Sequence, residues 1–325
     1  MDRSPPRESS QLAVLLLEWY GSSAMSENAV ILEGVRKTFS GHVAVDQLDL
    51  KVPSGSLFGF IGPNGSGKST TLRMILRIYY PDSGRVVVLG AEHGRAADDR
   101  VGYLPEERGL YRKMKVHEVL RFHAQLKGVA DPTKEIRSWL DRFELSDWAN
   151  KPVETLSKGM AQKVQFIAAT IHSPKLLILD EPFSGLDPVN LEVLKDAMLG
   201  LRRQGTTVIF STHDMSAAER LCDQVMMIHR GKKVLDGSPA EIRQHYGHDT
   251  LRVRIGDPDL DLAALPGIVD VSDYGHAKEL RLAADADPQA ILRRLQEQSR
   301  IDHFEITEPS LHDIFVRIAT PTEEP

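Results

Sequence analysis

Residues 57–80 read LFGFIGPNGSGKSTTLRMILRIYY, and the order of residue types in this stretch predicts a strand, a tight loop and a helix. Leu57 to Ile61 is a short apolar run of the kind that forms a buried strand. It ends in Gly62-Pro63-Asn64-Gly65-Ser66-Gly67-Lys68-Ser69-Thr70, which contains the spacing Gly-x4-Gly-Lys-Ser. Glycines there permit a tight turn whose backbone N–H groups face inward, and the following helix aims its N-terminus at the same point. Lys68 can reach β- and γ-phosphates and the Ser69 hydroxyl can ligate Mg²⁺. Leu72, Ile75, Leu76 and Tyr79 recur at i, i+3, i+4, i+7, so a helix with one core face is expected, ending before Pro81. The strand before the loop and the amphipathic helix after it make an accidental glycine turn a poor explanation. A nucleoside triphosphate is expected over residues 62–70.

Working outward, residues 43–52 (VAVDQLDLKV) place Leu48, Leu50 and Val52 on one face at period 2 and predict a half-buried strand. Strand character returns at 176–179, 206–211 and 225–229. Between the first two, a helix is expected with Asp187 as N-cap, Pro188 at its first position and Gly205 beyond its end. Strands alternating with helices predict an α/β fold, a mainly parallel sheet covered on both faces. Residues from about 108 to 165 are helical in pattern and rich in charge, and predict an inserted helical subdomain. Ser238-Pro239-Ala240-Glu241 is a capping box opening a last helix of this domain. Composition shifts after Gly247, where the order β-(short helix)-β-β-α-β is compatible with a small ferredoxin-like α+β domain over 248–325. Residues 1–27 are expected to be an N-terminal extension, with Met25 the natural start of the domain over 28–247. The apolar run Leu12 to Leu17 is too short for a secretory signal or a bilayer span.

The 325 residues are 41% hydrophobic and 26% charged, with a formal charge of −6. That is an ordinary globular composition, and no domain-wide basic excess supports nucleic acid binding. The single cysteine, Cys222, permits no intrachain disulfide and fits a reducing compartment.

Residues 176–182 (LLILDEP) end a fully apolar strand in two adjacent carboxylates, a costly arrangement without a function. Ligands of open α/β sheets bind at that end of the strands. Asp180 therefore fits a Mg²⁺ shell, directly or through water, and Glu181 is placed to orient or deprotonate an attacking water. His213, in FSTHD, closes another strand, and Asp214 beside it is expected to cap the helix that follows.

The stretch LSKGMAQKVQ, residues 156–165, resembles the signature motif of ABC ATPases, usually LSGGQ. The other family motifs follow in order. Phe39 resembles the aromatic residue that stacks on adenine, Glu106 occupies the place of the Q-loop glutamine near Mg²⁺, SGLD at 184–187 resembles the D-loop ending in Asp187, and His213 resembles the switch histidine that meets the γ-phosphate. The resemblance covers about residues 28–246. Lys158, Met160 and Glu106 depart from the common pattern, and Phe39 replaces tyrosine.

What the resemblance implies is an ATP- and Mg²⁺-dependent ATPase. Two nucleotide domains, identical or different, would pack head to tail, with Ser157 and Gly159 touching the γ-phosphate held by the opposite subunit. EERGLY, LSKGM, LDEPFSGLDP and EPSLHDIF resemble the ATP-binding subunits of bacterial exporters, including sodium-extrusion and antibiotic-export systems. Such subunits act at the cytoplasmic face of the membrane on a separate integral permease. The segment Leu110 to Met114 is expected either to dock that partner or to pack within the helical subdomain. Two other readings are a soluble ABC ATPase working as an ATP switch in a non-transport process, and a C-terminal domain that makes the chain mainly a ligand sensor or dimerisation module with ATP as a switch.

Overall fold

The computed structural model describes residues 27–92, 99–107, 109–247, 249–257, 260–273, 275, 277–283 and 285–319. Apart from Glu27, the N-terminal extension expected from the sequence lies outside them. The strand β1 (Asn28–Phe39) pairs antiparallel with β2 (His42–Pro53), and β3 (Leu57–Ile61) runs into the glycine loop. Then come α1 (Lys68–Ile75), β4 (Ser83–Val88), β5 (Val101–Leu104), α2 (Val116–Leu126), α3 (Thr133–Arg142) and α4 (Lys158–Thr170). The chain continues through β6 (Leu176–Asp180), α5 (Pro188–Arg203), β7 (Thr207–Thr212), α6 (Met215–Leu221), β8 (Gln224–His229), β9 (Lys232–Gly237) and α7 (Pro239–Tyr246).

The central sheet has six strands in the order β5-β6-β7-β3-β8-β9, parallel except for β9. Its strands alternate between two cores, as the pleat requires. Leu57, Ile61, Leu177, Leu179 and Phe210 face the cluster formed with the helices. Phe58, Phe60, Leu176, Ile178 and Ile209 face the other, formed with α1 and the antiparallel sheet β2-β1-β4. Burial on both faces is why β3 and β6 are apolar at nearly every position.

The helix after the loop is shorter than its periodicity predicts. It stops at Ile75 because Arg77 takes a left-handed φ of 58° and its guanidinium bonds the carbonyls of Ala91 and Glu92 at 2.6 and 3.0 Å. Ile78 and Tyr79 N–H groups turn back to the Arg73 carbonyl. Tyr79 stays against the core, but through a turn rather than a fourth helical contact. The caps read from the sequence form. Asp187, Asp214 and Ser238 accept hydrogen bonds from Asn190, Ala217 and Glu241 N–H respectively, the last within a full capping box.

Beyond α7 come β10 (Thr250–Ile255), β11 (Ile268–Asp273), β12 (Lys278–Leu282), α8 (Pro288–Gln298), β13 (Ile301–Thr307) and α9 (Leu311–Ala319). The sheet order β11-β12-β10-β13, all antiparallel, is the ferredoxin-like arrangement. Its expected short first helix is not there: the described residues between β10 and β11 form turns. Leu262 and Leu265 bury themselves against the sheet, and Pro266-Gly267 breaks the chain before a helix can propagate. The helix α9 does not belong to that small core. Leu311 and Ile314 are fully buried in the large helical cluster with Ala218 and Ile242.

Candidate active site

Four neighbouring strands deliver the predicted site residues to one edge of the sheet. The end of β3 gives the glycine loop, β6 gives Asp180 and then Glu181, β7 gives Ser211 and then His213, and β5 leads to Glu106. A cavity of about 510 Å³ lies there, lined by Asn64, Gly65, Gly67, Lys68, Ser69, Thr70, Glu106, Glu181, His42 and Ala44. Two glycines are sterically required. A Cβ on Gly67, at φ 110°, would sit 2.5 Å from the Ala44 carbonyl, and one on Gly62 would sit 2.3 Å from the Ile228 carbonyl. Gly67 is also the N-cap of α1 and offers no capping side chain, so the first N–H groups of the helix are left for an anion.

Lys68 is buried and donates to the carbonyls of Gly62 and Pro63 at 2.7 and 3.2 Å. Its ammonium lies 3.7 Å from Glu181 Oε1, an ion contact too long for a hydrogen bond. Burial lowers its pKa, and Glu181, Asp180 and Glu106 oppose that shift. Asp180 Oδ1 accepts from Ser211 Oγ at 2.6 Å and from Ser69 Oγ at 3.2 Å. Ser211 Oγ in turn accepts from the Glu181 N–H at 3.0 Å. Glu181 is held at a left-handed φ of 50°, backbone strain of the sort that costs about 1–3 kcal/mol and gathers at functional sites. Its Oε2 lies 3.1 Å from His213 Nδ1.

Three buried oxygens here have no hydrogen-bond partner: Asp180 Oδ2, Ser66 Oγ and Glu181 Oε1, which has the Lys68 ammonium 3.7 Å away. Unpaired buried acceptors are costly unless something binds them. With the adjacent Ser69 hydroxyl, this oxygen-rich donor set suits a hard divalent cation.

The remaining predicted residues lie elsewhere. Phe39 ends β1, 38% exposed, with its ring 5.3 Å from Tyr79 in an edge-on contact. Ser157 caps α4 by accepting from Met160 N–H, and neither it nor Gly159 nor Asp187 lines the cavity at Lys68. Asp187 uses its carboxylate as the α5 cap, and the bonds from Asn190 lower its pKa. Met160 packs against the helical core. Sequence reasoning missed Ser211, His42 and Ala44. Ser211 had a signal, because FSTHD turns polar while still inside a buried strand. His42 had none beyond following Phe39 by three residues.

The chain matches the ABC transporter family over residues 45–184 and the C-terminal domain of DrrA1-3-like ATP-binding proteins over 237–319. It is 43% identical over 287 residues to the ABC transporter ATP-binding protein YhaQ of Bacillus subtilis (strain 168), covering 88% of this chain and 96% of that one. It belongs to the ATP-binding subunits of ABC transporters. The Nod factor export ATP-binding protein I of Rhizobium sp. (strain N33) is 35% identical over 304 residues, covering 90% of this chain and 98% of its own length. Among solved structures, the ATP-binding subunit of an ABC transporter matches 67% of this chain and 93% of its own, with a TM-score of 0.63 and 30% identity. The subunit cbiO1 from Clostridium perfringens, part of the ABC transporter complex cbiONQ, has a TM-score of 0.60 and 25% identity over 68% of this chain and 93% of that one. ATP binding and transport are thus family properties of this subunit, and the glycine loop, Lys68 and Ser69 line one cavity with Glu106 and Glu181.

Proposed function

We propose that the subunit hydrolyses ATP to drive export through a separate membrane permease, working as a pair of nucleotide domains at the cytoplasmic membrane face. The observation that carries the hydrolytic reading is the bonded chain Ser69–Asp180–Ser211–Glu181–His213 beside Lys68, with one oxygen of each carboxylate free of hydrogen bonds. Gly62 to Thr70 cradle the phosphates and Lys68 pairs with them, while Phe39 stacks on adenine from the end of β1. Mg²⁺, held by Ser69 and Asp180 with Glu106 alongside, would neutralise phosphate charge. Glu181 Oε1 takes the proton of a water whose oxygen attacks the γ-phosphorus as the bond to the ADP oxygen breaks. His213 holds Glu181 through Oε2 and leaves Oε1 for that water.

Ser157 and Gly159 lie away from the chain's own Lys68, and this supports their completing the site of a second copy. The start of α4 presents an anion-favouring helix end for the purpose, with Asp187 at the neighbouring D-loop. ATP favours the closed pair because its phosphates then bridge two subunits, a contact the open state lacks.

The permease reading is supported by an apolar groove of about 330 Å³ between the sheet core and the helical subdomain, lined by Leu76, Ile78, Val101, Leu110 and Leu126 among others. Ile78 and Leu126, among its lining residues, are 52% and 63% exposed and so offer apolar surface to a partner. Leu110 and Met114 pack against the helical core, whereas Tyr111 beside them is exposed with its ring against Phe122. Export is supported by the name of the Rhizobium relative. The test is co-purification of an integral membrane protein with the tagged full-length subunit. Ile78→Asp with Leu126→Asp should abolish that association and spare ATP binding; unchanged association would remove the groove from the reading.

A further inference from the structure

We propose that the C-terminal part of the chain positions His213, acting through α6, with Arg243 as the joint. This rests on the hydrolytic reading of the site. The His213 side chain is 59% exposed and its hydrogen bond is to Glu181, so its place depends on the backbone to either side. On one side is β7, locked in the sheet. On the other is α6, only seven residues long, whose buried side chains are Met215, Ala217 and Ala218. Helices shorter than about 12–15 residues do not persist alone, so outside anchors decide where this one sits.

Those anchors are specific. Cys222 at the end of α6 lies against β3, where a Cβ on Gly59 would be 2.7 Å from its sulfur. Ala218 shares its apolar cluster with Ile242 of α7 and with Leu311 and Ile314 of α9. Glu219 on α6 forms a close ion pair with Arg243 of α7, and Arg243 Nε also donates to Glu308 Oε2 at 3.1 Å. One guanidinium therefore ties α6, α7 and the segment joining β13 to α9.

The C-terminal sheet meets α9 differently. Between them is a polar cavity of about 120 Å³, lined by Asp270, Ser272, Glu279, Arg281, Asp313 and Arg317 among others. Apolar contacts thus fix α9 to the ATPase core, while at the start of β10 it is held through Arg317, which donates to Asp249 Oδ2 at 2.8 Å and to Thr250 Oγ1 at 3.2 Å. A shift of the sheet reaches Glu308 first, then Arg243, Glu219 and the helix that starts two residues after His213. Arg243 is a positioning residue, distant from the reacting atoms.

The test compares Arg243→Met, Arg243→Lys and the surface control Lys233→Met in the full-length chain. Affinity for a fluorescent ATP analogue, kcat and KM are measured, with the ¹⁵N signal of the His213 ring followed without nucleotide. Arg243→Met should lower kcat about tenfold with nucleotide affinity held within about twofold, and Arg243→Lys should recover part of the loss. The His213 ring signal should move toward that of a free histidine in Arg243→Met and stay in place in the control. Affinity falling in parallel with kcat, an unchanged kcat, or an unmoved His213 signal would overturn the proposal. A wild-type chain that binds ATP without hydrolysing it would remove the hydrolytic reading, and the ring signal alone would then decide the positioning. If Arg243→Met does not fold, Glu308→Gln takes its place: it keeps the Glu219 pair, and it should show a smaller loss of kcat of the same kind or count against the idea.

Discussion

Gly67→Ala tests the proposed phosphate cradle with one methyl group. At φ 110°, an alanine carries backbone strain of about 1–3 kcal/mol. Its Cβ would also lie 2.5 Å from the Ala44 carbonyl, 3.2 Å from Ile228 Cδ1 and 3.4 Å from Val45 Cγ2. The closest of these is backbone in β2 and cannot rotate away, so overpacking adds about 1–3 kcal/mol. At about 2–4 °C per kcal/mol for a domain of this size, the melting temperature should fall by roughly 4–24 °C. If the loop moves aside instead, relief needs a shift of about 1 Å in the residue before Lys68, enough to cost about 100-fold in a positioned site. Gly65→Ala is the internal comparison. It has φ 76° and nothing within 4 Å of its Cβ, so only the strain remains, about 1–2 kcal/mol. Differential scanning fluorimetry and equilibrium ATP binding should rank wild type first, Gly65→Ala second and Gly67→Ala last. Equal behaviour of the two variants would refute the steric argument, and full ATP affinity in Gly67→Ala would refute the cradle.

Two further predictions concern groups outside the site. Burial, with Asp223 adding to it, pushes the Cys222 thiol far above its usual value. It should therefore resist alkylation in the native protein at mildly alkaline pH and react fully in denaturant; rapid native labelling would place α6 wrongly. Burial also lowers the pKa of His123 and His172 in the groove, so both are neutral in the folded state near neutral pH. The unfolded chain takes up protons first, near pH 6.5, so their stability is complete above about that value and is lost as pH falls through the folded values. Melting temperature should drop between about pH 7 and pH 5, and less steeply in His123→Gln/His172→Gln; identical slopes would exclude the pair as the cause.

Most of the candidate site was legible because sequence encodes it locally. Leu57 to Ile61 and Leu176 to Asp180 form strands where the apolar runs put them, and the glycine loop and carboxylates follow at their carboxyl ends. Asp187, Asp214 and Ser238 cap their helices because a short polar side chain before a helix has few better uses. What was missed depends on contacts made at a distance. The helix after the loop ends early because Arg77 finds carbonyls 14 and 15 residues away, and periodicity does not register such a contact. The turn that buries Leu262 and Leu265 carries helix-like spacing but has no room to propagate before Pro266. The placement of α9 escaped for a similar reason. Leu311 and Ile314 read as one apolar face, and nothing in them says which of two cores receives it.

The central claim is that ATP joins two copies through Lys68 of one and Ser157 of the other. Its most direct test is the solution mass of Glu181→Gln, which keeps the proposed binding groups and removes the carboxylate proposed to accept the proton. Measured by light scattering or sedimentation with MgATP, the variant should pass from the 36.2 kDa monomer to a species of twice that mass. Adding Ser157→Arg should return it to the monomer with ATP still bound. A Glu181→Gln protein that binds MgATP and stays at the monomer mass would contradict the account.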